Sequence, residues 1–150
     1  MHNTRVYTLG HSNRSINEFI NILLKFGIRT VVDVKRFPTS RKFPHFNRES
    51  LESRLSSLGI KYVWLGDLLG GFRSGGYESY MKTKEFREGF EKLVRIVKGC
   101  NQGYVAILCR ERLWFKCHRR FISSELVRQG FDVIHIIDSN RTYKHKVKAT

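Results

Sequence analysis

The chain has 150 residues, a length typical of a single domain with one hydrophobic core. Its hydrophobic content of 41% and aromatic content of 13% exclude an intrinsically disordered chain. With 28 lysines and arginines against 13 acidic residues, the formal net charge is +15, so we expect the protein to attract polyanions. A basic surface that serves no particular partner explains the same charge equally well.

Short strand-like runs alternate along the chain with longer helical patterns. The predicted strands cover residues 5–9, 30–34, 60–65, 104–108 and 132–137. The spacing of apolar residues predicts helices over 15–26, 48–58, 84–98 and 117–129. Residues 66–79 are rich in glycine and are predicted to be a loop, part of which forms a flap near the site. This loop lacks the glycine patterns of nucleotide-binding loops.

The alternation of strands and helices predicts the fold. Consecutive βα units imply right-handed crossovers and a mostly parallel sheet. We therefore expect one α/β domain over residues 1–138, a three-layer Rossmann-like sandwich with about five strands, followed by a basic tail over 139–150. The most apolar strand, 104–108, is expected to be buried on both faces.

The location of the protein is predicted from absent signals. No apolar run reaches the roughly 18 residues that cross a bilayer, and residues 1–12 lack the apolar core of a secretory signal. The chain has 3 cysteines, an odd number, which favours reduced thiols over a disulfide framework. We therefore expect a cytoplasmic protein that does not bind membranes.

Polar or glycine-rich residues follow four of the predicted strands. Ligands of parallel α/β sheets bind outside the carboxyl ends of the strands, so these residues are expected to meet in one pocket. In strand order, the candidate site residues are His11 and Ser12, then Asp33, Lys35 and Arg36, then Gly70 and Gly71, and finally Cys109, Glu111, Cys117, His118 and Arg119.

Cys117 is the candidate nucleophile of this pocket. We expect it in the first turn of a helix, where unpaired N–H groups and nearby cations stabilise a thiolate. A buried structural cysteine is the alternative. His118 or His11 would carry the proton, and Glu111 would act as a second acid or base. His11 as a structural residue, and Glu111 as a local partner of arginine, remain open.

The remaining candidates are predicted to bind the substrate. Arg119, with Lys35 or Arg36, would hold an anionic group at a helix N-terminus. Asp33 lies in an apolar strand and needs a partner if it is buried, for which Arg36 or Arg119 would serve.

Metal binding is a further hypothesis for the cysteines and histidines. Cys109, Cys117, His118 and His11 would supply the ligands, but the cysteine spacing matches no standard zinc pattern. We therefore predict neither a metal nor a cofactor.

The segment 35–48 suggests a second function. It combines basic and aromatic residues without an acidic one, a composition typical of loops that bind single-stranded nucleic acid through phosphate contacts and stacking. The alternative is a loop whose Phe37, Phe43 and Phe46 enter the core. The two functional hypotheses are thus an enzyme that acts on a phosphate-bearing or nucleotide-like substrate, and a non-catalytic nucleic-acid-binding module that uses this loop and the tail.

Four motifs resemble a known family. TLGHS (8–12), DVKRFPTS (33–40), YVWLGDLLGG (62–71) and CRERLWFKCHRR (109–120) are similar, in this order, to the family catalogued as domain of unknown function 488. The likeness runs from about residue 4 to residue 136 and implies a compact α/β fold, but no activity. Lys35 stands where the family usually has arginine. The positions that match family motifs are His11, Ser12, Asp33, Pro38, Gly70, Gly71, Cys109, Glu111, Cys117, His118 and Arg119.

Overall fold

The structure is a computed structural model that describes residues 4–147. The strands are β1 (Arg5–Gly10), β2 (Ile28–Asp33), β3 (Lys61–Trp64), β4 (Tyr104–Cys109), β5 (Asp132–Asp138) and β6 (Arg141–Lys144). The helices are α1 (Ile16–Lys25), α2 (Arg48–Ser56), α3 (Gly66–Leu69), α4 (Tyr77–Tyr80), α5 (Lys84–Gly99) and α6 (Arg119–Arg128), with 3-10 turns at Pro44–Phe46 and Trp114–Lys116.

The strands form one sheet in the order β3-β2-β4-β1-β5-β6. The first five strands of the chain run parallel, and β6 pairs antiparallel with β5. The predicted α/β sandwich with a mostly parallel sheet is therefore confirmed, with one strand more than expected. The carboxyl ends of the three neighbouring strands β2, β4 and β1 lie side by side at one edge of the sheet, since Gly10 pairs with Cys109 and Asp33 pairs with Leu108.

Helices cover both faces of the sheet. On one face α1 and α2 pack with Ala106 and Leu108 of the central strand β4, and on the other face α5 and α6 pack with Val105 and Ile107. This strand is therefore buried on both sides, as its apolar sequence predicts. No helix within residues 4–147 has the length and apolarity needed to span a bilayer.

The glycine-rich segment 66–79 differs from the predicted loop because it contains α3 and the start of α4. The hydroxyls of Tyr77 and Tyr80 donate hydrogen bonds to the carbonyls of Leu69 and Leu68, at 2.8 and 2.6 Å. These contacts between the two short helices stabilise turns that a glycine-rich sequence would not form by itself.

The predicted tail also differs from the structure, because residues 141–144 form the edge strand β6. The next residue, His145, is 5% exposed and is hydrogen-bonded to His135 of β5 at 2.8 Å. Trp114 stacks on the His135 ring at 4.4 Å and thereby joins this contact to the turn before α6. The burial of His145 therefore anchors β6. The last three residues of the predicted tail, 148–150, lie outside the described residues.

Candidate functional site

A cleft of about 900 Å³ opens at the carboxyl edge of the sheet. It lies where the loops after β1, β2 and β4 meet, beside the glycine-rich segment. The predicted site residues that line it are His11, Lys35, Arg36, Gly71, Cys109, Glu111, Cys117 and His118. Four other predicted site residues, Ser12, Asp33, Gly70 and Arg119, do not contribute to its wall.

Cys117 lies on the wall of the cleft, but the prediction that it occupies the first turn of a helix is wrong. Its N–H donates to the carbonyl of Trp114 and closes a 3-10 turn, which leaves Cys117 extended, and α6 begins at Arg119. The backbone N–H of Arg119 nevertheless points to Cys117 Sγ at 3.5 Å. The sulfur therefore receives an N–H from the beginning of the helix without being part of it.

Two further groups contact the Cys117 sulfur. Cys109 Sγ lies at 3.0 Å and His118 Nδ1 at 3.6 Å. The hydrogen bond from the Cys109 thiol, and then the contacts with His118 and Arg119, lower the pKa of Cys117 to about 4 against the opposing effect of burial. Burial and donation to Cys117 raise the pKa of Cys109 well above its ordinary value. These opposite shifts favour the thiolate at Cys117 and the protonated thiol at Cys109.

The second ring nitrogen of His118 fixes the tautomer of its neutral form. Nε2 lies 3.1 Å from the carbonyl oxygen of Val34, which can only accept, so Nε2 carries a proton. Nδ1 then faces Cys117 as the acceptor of its proton. The opposite wall is close, since a Cβ atom at Gly71 would lie 3.0 Å from Nδ1. A glycine at position 71 therefore leaves room for this imidazole.

Arg119 is buried behind the cysteines and is 1% exposed. Its Nη2 donates to the carbonyl of Arg112 at 3.0 Å, while Nε and Nη1 have no hydrogen-bond partner within residues 4–147. The predicted role of Arg119 as a direct clamp on the substrate does not fit this position, because the guanidinium is not part of the cleft wall. Its charge instead helps to lower the pKa of Cys117 and offsets part of the rise that burial causes in the pKa of Cys109.

Asp33 is fully buried, but the prediction of an arginine partner is wrong. Its carboxylate accepts a hydrogen bond from the hydroxyl of Tyr62 at 2.5 Å and one from the N–H of Lys35 at 3.0 Å. The ammonium group of Lys35 lies 3.8 Å away. Arg36 points elsewhere and donates to the carbonyl of Phe72. Tyr62 reaches Asp33 because β2 and β3 are neighbours, a pairing that no local sequence pattern indicates.

His11 is held as a neutral ring beside the cleft. Its ring stacks on Phe46 at 4.2 Å, and Nδ1 donates to the carbonyl of Ser12 at 2.9 Å. Burial, followed by the nearby charge of Lys35, lowers the pKa of His11 to about 3. The other nitrogen, Nε2, has no hydrogen-bond partner in the described part of the chain. Because its pKa is about 3, His11 stays neutral near pH 7, and this nitrogen can accept a hydrogen bond.

The aromatic residues of the segment 35–48 divide between the core and the surface. Phe46 is 1% exposed and Phe43 is half-buried, so these two follow the alternative in which the loop packs inward. Phe37 is 63% exposed at the cleft. The ring of Phe72 lies 6.0 Å from the ring of Phe37 and is 84% exposed. Phe72 also has a φ of 60°, and it was not among the residues predicted from the sequence.

The region 4–147 contains no group of three or more side chains placed to hold a metal ion. Together, fold and cleft define an α/β protein with a cysteine–histidine pair at the carboxyl edge of a parallel sheet. The chain belongs to the family described as domain of unknown function DUF488, whose model matches residues 15–126. The predicted family is thus confirmed, although TLGHS (8–12) precedes the matched range. Searches of curated proteins and of solved structures give no match.

Proposed function

We propose that the protein is an enzyme that uses Cys117 as a nucleophile on an anionic, phosphate-bearing or nucleotide-like substrate. One observation carries the proposal: Cys109, His118 and the Arg119 N–H surround the Cys117 sulfur at 3.0 to 3.6 Å on the wall of an open cleft. The Cys109 thiol and the Arg119 N–H donate to the sulfur and His118 accepts its proton, which together stabilise a thiolate, the form of cysteine that attacks electrophiles.

Each neighbouring group has a role in this proposal. His118 takes the proton of Cys117 at Nδ1 while Nε2 stays bonded to Val34. Neutral His11 is a weak base because its pKa is about 3, so in this proposal its Nε2 accepts a hydrogen bond from a water molecule or a second substrate group. Glu111 lies exposed on the wall as a second acid or base.

The charge of the cleft supports an anionic substrate. Five cationic side chains line it, against the single carboxylate of Glu111: Lys35, Arg36, Arg73, Arg110 and Lys116. Arginine fits phosphate oxygens with paired hydrogen bonds, and the focused positive potential raises the local concentration of anions.

The test is alkylation of Cys117 by iodoacetamide between pH 5 and pH 9, followed site by site by mass spectrometry. A pKa of about 4 means that Cys117 is already a thiolate at pH 5, so its rate should be nearly constant over this range. An ordinary thiol would gain about tenfold per pH unit up to about pH 8.5.

Two variants control this experiment. Cys100→Ser removes a thiol outside the cleft and should leave the profile of Cys117 unchanged, whereas Cys117→Ser should abolish the labelling at pH 5. A midpoint near pH 8.5 for Cys117 would refute the proposed nucleophile.

A second candidate function, binding of single-stranded nucleic acid, is favoured by the rings of Phe37 and Phe72. We define these two rings as the aromatic platform. At 63% and 84% exposure they offer open faces for a base to stack on, and Arg36 lies 5.5 Å from the Phe37 ring. A bulky residue with positive φ is rare, and such backbone strain is concentrated at functional sites. A nucleotide-like substrate would use the same platform.

Fluorescence anisotropy with a labelled single-stranded oligonucleotide tests this candidate. Phe72→Ala should weaken binding by about fivefold or more, because the base loses its stacking partner. Phe115→Ala is the matched control, because Phe115 is 47% exposed but lies outside the cleft. This variant should bind the oligonucleotide with the affinity of the parent protein. An equal loss of affinity in both variants would argue against stacking on the aromatic platform. An affinity that does not fall with salt would argue against nucleic-acid binding as a whole.

A further inference from the structure

We propose that Cys109 and Cys117 form a reversible dithiol–disulfide pair that is oxidised by hydroperoxides, with Cys117 as the attacking cysteine and Cys109 as the resolving one. The inference rests on the proposed function in one respect only, namely that Cys117 reacts from the cleft as its thiolate, for which the small thiolate fraction of an ordinary cysteine at pH 7 is already sufficient. It adds a second reactive partner for that thiolate and assigns to Cys109 a chemical role.

The positions of the sulfur atoms carry the inference. Cys109 and Cys117 are both free, and their sulfurs are 3.0 Å apart. A disulfide bond measures about 2.05 Å, so the sulfurs must approach by about 1 Å. Cys109 is fixed at the end of β4, but Cys117 lies between a 3-10 turn and α6, outside any regular element. The connecting segment can therefore supply the movement.

Access and partner choice are also defined by the fold. Both cysteines of the pair line the cleft, so a small peroxide can reach Cys117 from solvent. Cys100 lies just before the start of β4, whereas Cys109 ends that strand. The six residues of β4 span roughly 17 Å, and Cys100 contacts Gly103 at the other end of the strand, which excludes a disulfide between Cys100 and Cys109.

The first step is oxidation of Cys117. The thiolate attacks the distal oxygen of the peroxide, an S–O bond forms, and the O–O bond breaks. Sulfur loses two electrons to the peroxide, and the departing alkoxide, or hydroxide, takes up a proton to become an alcohol or water. The product at position 117 is a sulfenic acid, the first and reversible stage of cysteine oxidation.

The second step joins the two residues. Cys109 attacks the sulfenic sulfur, the S–S bond forms, and the S–O bond breaks. The hydroxide that leaves combines with the proton of the Cys109 thiol to form water. Burial is the largest cause of the raised pKa of Cys109 and persists, but oxidation of Cys117 removes the negative charge that raised this pKa further, while the buried guanidinium of Arg119 still lowers it. Cys109 thus becomes a better nucleophile at the point where it must react.

The consequence is a switch on the proposed catalytic group. The disulfide removes the thiolate from the cleft, and a thiol reductant restores it by exchange. Without Cys109, Cys117 would continue to the sulfinic and sulfonic acids, which simple thiols do not reduce.

The test exposes the full chain to hydrogen peroxide at pH 7, blocks free thiols with an alkylating agent under denaturing conditions, and maps the peptides by mass spectrometry. We expect a disulfide-linked species that contains the peptides of Cys109 and Cys117. Treatment with dithiothreitol should remove this species and release the two separate peptides. Cys109→Ala should instead yield irreversibly oxidised Cys117. Cys100→Ser is the matched control and should still form the Cys109–Cys117 disulfide.

The outcomes separate this inference from the proposed function. If Cys117 alkylates rapidly at pH 5 but peroxide produces no link to Cys109, the dithiol pair is refuted and the nucleophile stands. If peroxide links the two cysteines while Cys117 shows an ordinary alkylation midpoint, the pair stands and the activated nucleophile is refuted. A link that involves Cys100 would overturn the pairing argued here.

Discussion

Replacing Cys109 with alanine should move the midpoint of the Cys117 alkylation profile upward by about two pH units or more. The hydrogen bond from the Cys109 thiol is the largest of the effects that lower the pKa of Cys117. The alanine side chain cannot donate, and the burial of Cys117 then favours the neutral thiol. At pH 5 the variant should be mostly protonated, whereas the parent is a thiolate.

The midpoint, rather than the rate at one pH, is the quantity to measure. A thiolate with a higher pKa is intrinsically more nucleophilic, so the rate at a single pH understates the change. Cys109→Ser serves as the comparison, because its hydroxyl keeps a donor and should give a smaller shift. An unchanged midpoint in Cys109→Ala would mean that His118 and Arg119 alone maintain the thiolate.

Alanine at Gly10 should destabilise the fold by at least about 3 kcal/mol, which is the upper range for overpacking. An added Cβ would lie 1.8 Å from the carbonyl oxygen of Glu111 and 2.9 Å from Cα of Arg112, both of them backbone atoms. These atoms cannot rotate away. The loop after β4 is also pinned to the loop after β1, since the Ser12 N–H donates to the carbonyl of Arg110 at 2.9 Å.

Urea denaturation measures this effect, and Gly99→Ala is its matched control. Nothing lies within 4 Å of a Cβ at Gly99, the last residue of α5, so alanine there should be neutral or add up to about 1 kcal/mol. If the two variants have equal unfolding midpoints, the loops after β1 and β4 are not in the close contact described. A folded Gly10→Ala protein should also show a raised midpoint for Cys117, because Cys117 follows the displaced loop.

The helices and the parallel strands could be predicted from the chain because their signals are local. In α1, Phe19 and Leu23 recur at helical spacing, and the hydroxyl of Ser15 accepts the N–H of Glu18. The apolar run of β4 predicted a strand buried on both faces. Strand β1 extends one residue beyond the predicted range 5–9, since Gly10 pairs with Cys109, and a side chain at this position would clash with the backbone of Glu111.

Other features depend on contacts between distant segments and had no local signal. Strand β6 is exposed and polar along its length, and pairing with β5 and the buried His145 hold it in place. The partner of Asp33 comes from the neighbouring strand, at Tyr62. Phe46 enters the core and Phe37 does not, although both lie in one basic segment.

By itself, the sequence determined that this is an α/β chain with a parallel sheet, and which residues follow its strands, because helical spacing, apolar runs and turn residues act over a few positions. Only the tertiary structure decided which of those residues share a cleft and which are buried behind it. It placed two sulfurs 3.0 Å apart and left Arg119 outside the wall. Such distances depend on how the loops after different strands pack against one another. The free energy of that packing is a sum over many contacts between residues that are distant in the sequence, so no local pattern predicts it.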